Sequence, residues 1–514
     1  MSDSKQVQGK WHAEELRALR KARLASMKAK DGGKKPLKTR HTLAWVITAV
    51  ILVIALLGTG VWVAVRLGVP QRTFKAVTIG STDVKAIDLQ YYYRSILNYY
   101  GIDPTTAEGQ TYLKGESGDE TMPTMADLVK DQAAQYMQQD VILAANAIKA
   151  GMTLDAEDLA NIEASMASIT SQATASKMTV DNFLISKYGT GMNLAVYRSI
   201  MERFTMAEKF ATQQQASYTY TDDQIKAYYD ANKIDFDLVD YRTFLIDAEI
   251  GDGATDEVKT AALAKAKATA EEMLGKITDE ESYKTQCIAY SRVEDKEKYK
   301  TDDASLAQRK TYASMSASTE QAKWLFDEAR VAGNKTIIES AKGYYVLYFL
   351  DRYQADFKTV SIRHILISAV TKSDTASENA TAEEVAAAKA RAEKLLADFL
   401  AGDKTEASFG ILAKANSADT GAGEGGLYEG VKPGDMVPEF NDWCFDASRK
   451  PGDTGIVQTQ FGFHIMYYVS QDTRENWQVS VEDTMRSTDY NAYLDQEVKN
   501  NPYVLNSFGL KFVS

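Results

Sequence analysis

VSIRHILI (Val360–Ile367) and GFHIMYYV (Gly462–Val469) decide the fold, because each has an earlier counterpart in this 514-residue chain. VDYRTFLI (Val239–Ile246) agrees with the first at four of eight positions, and GYYVLYFL (Gly343–Leu350) runs parallel to the second. Between them, KATAEEML from Lys267 is matched by KARAEKLL from Lys389, and WLFDEARVAG from Trp324 by WCFDASRKPG from Trp443. The spacings agree as well: 19 residues from tryptophan to glycine in both copies, and 82 against 80 from the first arginine to the tryptophan. Four segments in one order at one spacing mark an internal repeat of about 110 residues.

Each copy reads as strand, long helix, short helix, loop, short helix, strand, strand. The first strand alternates toward a core, the helix after it is rich in Ala, Lys and Glu, and the last strand is rich in Tyr, Ile and Val. The fold class is therefore α+β, a small antiparallel sheet with helices on it.

Ahead of the repeat, from Asp83 to about Gln213, apolar residues recur at helical spacing, as in Leu89-Tyr93-Ile96-Tyr99 and Leu128-Ala133-Met137-Ile142-Ala145-Ile148. Such stripes pack helix on helix; rich in Met and Tyr, they also suit an adaptable peptide-binding surface. Further upstream, Thr42 to Val65 carry no charge, and that length at about 1.5 Å per residue exceeds a hydrocarbon layer of about 30 Å. A single transmembrane helix is expected there. Residues 1–41 carry a net charge of +8, which keeps the N-terminus cytoplasmic as a basic tail, and the remainder carries about −20. So acidic an exported part disfavours nucleic acid as a partner. Cys287 and Cys444 offer neither a disulfide framework nor a metal site, and no cofactor is indicated.

The second copy resembles the parvulin family of peptidyl-prolyl cis/trans isomerases in five motifs. RHILI supplies His364; ASFGILAKANSAD ends at Asp419; a glycine-rich stretch runs from Gly421 to Gly434; GDMVPEF supplies Met436 and Phe440; TQFGFHIMYY supplies Thr459 and His464. The resemblance implies that His364 and His464 face one another in a hydrogen-bonded set with Thr459 and Asp419, and that Met436 and Phe440 form an apolar cup for proline. Where the family usually reads Gly-Asp-Leu-Gly-x-Phe, this chain reads Gly426-Leu427-Tyr428-Glu429-Gly430-Val431, so Tyr428 and Val431 alter the outer wall of the pocket. The loop after the first strand has Lys372 as its only base against Asp374, Glu378, Glu383 and Glu384, which disfavours phosphorylated substrates. In the first copy Thr243 stands for His364, Tyr345 for His464, Val293 for Asp419, Ala317 for Met436 and Glu320 for Phe440. That copy is expected to keep the fold without the catalysis.

The arrangement resembles the SurA-like and PrsA-like foldases: a helical chaperone-like domain (73–235), a degenerate parvulin-like domain (236–353), a parvulin domain (358–471), and a C-terminal segment (472–514) whose helix, near Val481 to Asn500, returns to the helical domain. The implied partners are unfolded exported polypeptides with X-Pro bonds. The implied location is the cell membrane, with the catalytic region extracytoplasmic. A holding chaperone with little turnover, or a tethered scaffold for one partner, are the other readings.

Overall fold

The computed structural model describes residues 17–26, isolated positions between 47 and 59, and residues 62–514 apart from 301–303, 317–318 and 370–379. No helix among the described residues is long and apolar enough to cross a membrane. Most of the expected span Thr42–Val65, most of the basic tail, and the loop around Lys372 lie outside the described residues. The chain divides into two compact units, residues 1–213 with 493–514, and residues 214–492.

The first unit opens with an antiparallel hairpin, β1 (Lys75–Ile79) and β2 (Thr82–Lys85). The helices Ala86–Tyr99 and Met125–Lys149 follow, the second started by a capping box in which Thr124 and Asp127 accept each other's backbone N–H. Their shared core holds Leu89, Tyr93, Leu97, Ala133, Met137 and Val141. The sequence stripes run off this core at their ends: Tyr99 is 84% exposed and Ile148 69%. Each stripe closes on two successive steps of three residues, and at 3.6 residues per turn those steps turn the side chain about 120° away from the buried face.

The second unit holds two four-stranded antiparallel sheets of one design. In the first, β3 (Leu238–Asp247), β4 (Leu306–Lys310), β5 (Lys335–Ser340) and β6 (Gly343–Tyr353) lie in the order β4-β3-β6-β5. In the second, β7 (Val360–Ile367), β8 (Leu427–Val431), β9 (Thr454–Thr459) and β10 (Gly462–Gln471) lie in the order β8-β7-β10-β9. The sequence had placed a loop where β4 and β8 run. Both are five-residue edge strands, and β8 contains Gly430, so neither carries a readable alternation.

Each central strand serves two layers, since successive side chains leave opposite faces. On one face of the second sheet Ile365, Ile367, Phe463, Ile465 and Tyr467 pack with Ala388, Ala392, Phe399 and Phe409 of the helices Ala382–Ala401 and Glu406–Asn416. On the other, Val360, Ile362, Met466 and Tyr468 pack with Phe440, Trp443 and Cys444 of the helix Pro438–Cys444. A fully buried side chain of this kind contributes about 1.5–3 kcal/mol.

The copies share their fastenings. Arg242 Nε donates to Glu280 at 2.8 Å in the first, and Arg363 Nε to Glu406 at 2.9 Å in the second. Arg330 lies 4.1 Å from the Trp324 ring centre, and Arg449 lies 4.3 Å from that of Trp443. The last hairpins turn at Gly343 and Gly462, where an added Cβ would stand 2.1 Å from Ile246 O and 2.4 Å from Ile367 O. Only glycine permits so close an approach.

Two expected boundaries move. The helix Asp222–Ala231, assigned from sequence to the helical domain, belongs to the second unit: Ile225 and Tyr229 pack with Trp477 and Val481. The C-terminal helix spans Asn476–Asn500, and only its end joins the first unit. There Gln138 Nε2 donates to Val498 O at 3.1 Å and Asn501 O at 2.8 Å, and β11 (Tyr503–Leu505) pairs with β1.

Removing Glu280 takes one charged partner from the Arg242 side chain, which is 4% exposed and also donates to Ser305 Oγ at 3.0 Å. Because Glu280 itself is half-exposed, Glu280→Ala should cost about 2 kcal/mol, below the figure for a wholly buried pair. Amide hydrogen exchange along β3 reads this directly; protection unchanged from the wild type would remove the ion pair from the fastenings.

Candidate functional site

The two histidines come from the two central strands of the second sheet. His364 sits on β7 opposite Met466, and His464 on β10 opposite Leu366, which places them diagonally on one face. Their Nδ1 atoms are 3.1 Å apart with ring centres at 5.3 Å, so the imidazoles meet edge to edge. Both are buried. Thr459, at the end of β9, brings Oγ1 to 2.8 Å from His464 Nε2, and Phe461 N–H donates to that oxygen at 3.1 Å.

Asp419 reaches the other end. It lies three residues beyond the helix Glu406–Asn416, on a turn stitched to β7: Ala418 N–H donates to Leu366 O at 2.9 Å, and Ser417 Oγ accepts from Leu366 N at 3.1 Å and Asp419 N at 3.2 Å. Asp419 Oδ2 is 2.7 Å from His364 Nε2 and accepts from Tyr428 OH at 3.0 Å, while Oδ1 accepts from Gly421 N at 2.8 Å. The His364 hydrogen bond, aided by the Gly421 amide and the Tyr428 hydroxyl, holds the Asp419 carboxyl well below the usual carboxylate range. Burial, with the His364 charge second, pushes His464 down to about 4. Burial and the facing carboxylate push Tyr428 up to about 12.

Sequence reasoning missed the pinning role of Ser417; its signal was a serine two residues ahead of Asp419 in a turn. It also missed why the stretch is rich in glycine. His364 N donates to Gly426 O at 2.9 Å, and a Cβ on Gly426, whose φ is 74°, would stand 2.2 Å from His364 O.

The apolar residues divide in two. Phe440 meets both imidazoles edge-on, at 5.4 Å and 82° to His364 and 5.2 Å and 88° to His464. It is 3% exposed, and Val431 4%, so both belong to the core. Of the residues expected to form the apolar cup, Phe440 lies at the bottom against the sheet, and half-buried Met436 lies at the margin with Tyr428.

The first copy carries other side chains at these positions. Thr243 N donates to Ser305 O at 2.8 Å, the counterpart of the His364 bond to Gly426, but its buried Oγ1 has no hydrogen-bond partner among the described residues. Val293 is 83% exposed, and Ala317 lies outside the described residues. Counting back from Trp324 and Trp443 pairs Phe440 with Gln321, one residue beyond the expected Glu320; Gln321 Nε2 donates to Tyr241 OH at 3.3 Å.

Residues 344–471 match the family model of the PPIC-type PPIASE domain, a match that opens inside β6, ahead of the expected start at Lys358. The chain is 32% identical to a chaperone SurA of Nitrosospira multiformis over 145 residues, which are 27% of this chain and 29% of that protein. It is 30% identical to the chaperone SurA of Ralstonia nicotianae over 174 residues, 32% of this chain and 30% of the relative. The chain thus spans under a third of the length of these curated relatives. Among solved structures, PrsA from Bacillus subtilis is 14% identical, with 77% of this chain and 91% of that chain covered at a TM-score of 0.25. The chain therefore carries a parvulin domain of the PPIC type and, over the stretch aligned, is similar to SurA chaperones.

Proposed function

We propose that this chain is a membrane-anchored, extracytoplasmic foldase whose second α+β domain catalyses rotation about X-Pro bonds in exported polypeptides. The observation that carries the reading is the unbroken hydrogen-bond chain Thr459–His464–His364–Asp419 beside Met436, Tyr428 and Phe440.

The chemistry needs no covalent step. X-Pro rotation faces a barrier of about 18–20 kcal/mol because amide resonance is lost at the twisted geometry. A site lowers it by holding the proline against apolar side chains, excluding water that favours the planar amide, and presenting hydrogen bonds that fit the twisted carbonyl or nitrogen. Met436 and Tyr428 supply the first contact here. The polar chain supplies a preorganised field behind it, and it has two ways to be complete. A carboxylate only accepts, so His364 Nε2 carries a proton. Then either His464 Nδ1–H donates to His364 and Thr459 O–H to His464, or a proton on His364 Nδ1 reverses both bonds. His464 is neutral in each form, in keeping with its lowered pKa. Asp419 already accepts three hydrogen bonds, which favours ordering of the network over direct contact with the peptide.

A holding role has its own support in the first unit. A groove of about 400 Å³ is lined by Tyr92, Ile96, Tyr99, Tyr100 and Tyr136, and three of those tyrosines are more than half exposed. Exposed aromatic surface of this kind grips extended chains.

The two roles separate by mutation in the purified chain. Met436→Ala should slow isomerisation of an X-Pro peptide about tenfold to a hundredfold, a loss of roughly 1.4–2.7 kcal/mol at the transition state, and leave aggregation suppression near wild type. Tyr99→Ser with Tyr136→Ser should do the opposite. If the wild-type chain does not exceed the spontaneous rate on any X-Pro peptide, the enzyme reading fails and the holding role stands alone.

Stability should follow His464. Its folded pKa near 4 lies below the ordinary 6.5, so between these values the unfolded chain takes up a proton that the folded domain refuses. The contribution is whole above about pH 6.5 and is lost as the pH falls through 4, about 3 kcal/mol in all. Urea unfolding at pH 7 and pH 4.5 measures it, and His464→Gln should flatten the difference; an equal slope in that variant would assign the effect to other groups.

The membrane anchor rests on Thr42–Val65. Protease added to intact cells carrying the chain should digest residues beyond Arg66 and spare residues 1–41; digestion only after the membrane is broken would reverse the orientation.

A further inference from the structure

Tyr428 occupies the position at which the parvulin pattern reads leucine, and leucine has no hydroxyl. Here that hydroxyl donates at 3.0 Å to Asp419 Oδ2, the oxygen that also lies 2.7 Å from His364 Nε2. The placement follows from the sheet. On the edge strand β8, Tyr428 stands opposite Ile362 of β7, and Ile362 shares its face with His364 two residues on. The Tyr428 ring comes to 5.3 Å from the His364 ring, inclined at 44°. Ring and hydroxyl thus have different neighbours: the ring joins the apolar margin with Met436, and the hydroxyl turns inward to the carboxylate.

The hydroxyl closes a gap in how Asp419 is held. Ser417 and Ala418 fix its backbone, and Gly421 N–H fixes Oδ1, yet among the described residues Oδ2 would otherwise answer only to His364, the group it is meant to orient. A carboxylate held at one oxygen still swings about its Cβ–Cγ bond. A second, independent donor on Oδ2 fixes it in the plane that meets His364 Nε2.

We infer that Tyr428 is a positioning residue, whose hydroxyl locks the Asp419 carboxylate against His364 and thereby sets the order of the whole histidine chain. The catalytic half of this inference rests on the isomerase reading above. As its own pKa is raised to about 12, the hydroxyl remains a donor throughout the working range of pH. A wall residue in contact with substrate through its ring alone would show none of the hydroxyl's effects.

The full chain carrying Tyr428→Phe keeps the ring and loses only the donor. Its kcat on an X-Pro peptide should fall about tenfold with KM unchanged, the loss typical of one hydrogen bond to a charged group. In an Asp419→Asn background the same change should add little, because the carboxylate on which it acts is gone. A readout free of catalysis is the carboxyl carbon resonance of Asp419 followed by NMR through acid pH. The titratable groups facing Asp419 are His364 from β7 and Tyr428 from β8, with His464 from β10 one ring further on. In Tyr428→Phe the Asp419 midpoint should move up toward the ordinary carboxylate range. An unmoved midpoint, or losses from Tyr428→Phe and Asp419→Asn that simply add, would overturn the inference. Should the wild type show no turnover at all, the isomerase reading falls by itself, and the carboxyl titration still decides whether Tyr428 holds Asp419.

Discussion

The register between β7 and β10, with Ile365 opposite Ile465, is the constraint on which the second sheet and its site both depend. Side chains alternate across a sheet, so this pairing sends Ile365, Ile367, Phe463 and Ile465 to the helices Ala382–Ala401 and Glu406–Asn416, and His364 and His464 to the opposite face. A slip of one residue would turn an imidazole into the layer of Phe399 and Phe409, where no polar partner waits, and would bring out an isoleucine in its place. The core thus enforces the site. Many apolar contacts on one face specify the position of two polar groups on the other, and the turn at Gly462, too tight for any side chain, keeps the two strands in step.

The first copy shows how separable scaffold and site are. It keeps the sheet order, the arginine–glutamate pair, the arginine on the tryptophan and the glycine hairpin, all of which serve the layers and edges of the sheet. On the face where the second copy carries a polar chain, it has Tyr345 and Thr243, whose buried hydroxyl finds no partner among the described residues. The sheet order and its fastenings thus recur without the histidines.

Most of the repeat was legible because its evidence is local: strand alternation, glycines at tight turns, and tryptophan, arginine and glycine at fixed intervals. His364, His464, Thr459 and Asp419 were legible as a set only through the family's spacing, since a buried strand histidine by itself says nothing of its partner. What sequence left hidden depends on tertiary choices. The helix Asp222–Ala231 follows directly on the helical stretch, and its contact with Trp477 and Val481 places it in the second unit. The stripe through Met137 reads on to Ile148, but helix geometry turns its end to solvent. The depth of Phe440 was equally hidden, because it follows from the two imidazoles and the sheet that meet its ring.

The same burial explains what kind of catalyst this arrangement suits. A site that must respond to substrate by large rearrangement loses the advantage of fixed dipoles, whereas here the polar groups are paired before any peptide arrives. Three donors converge on Asp419, His464 is kept neutral by burial, and Phe440 shields both imidazoles from water. The geometry leaves open the direction of the hydrogen bonds along Thr459, His464 and His364, because each shared ring nitrogen can donate or accept. The proposed reaction, whose transition state redistributes charge within an amide without making or breaking a bond to the protein, calls for prearranged donors and acceptors beside an apolar margin such as the one that Met436 and Tyr428 form.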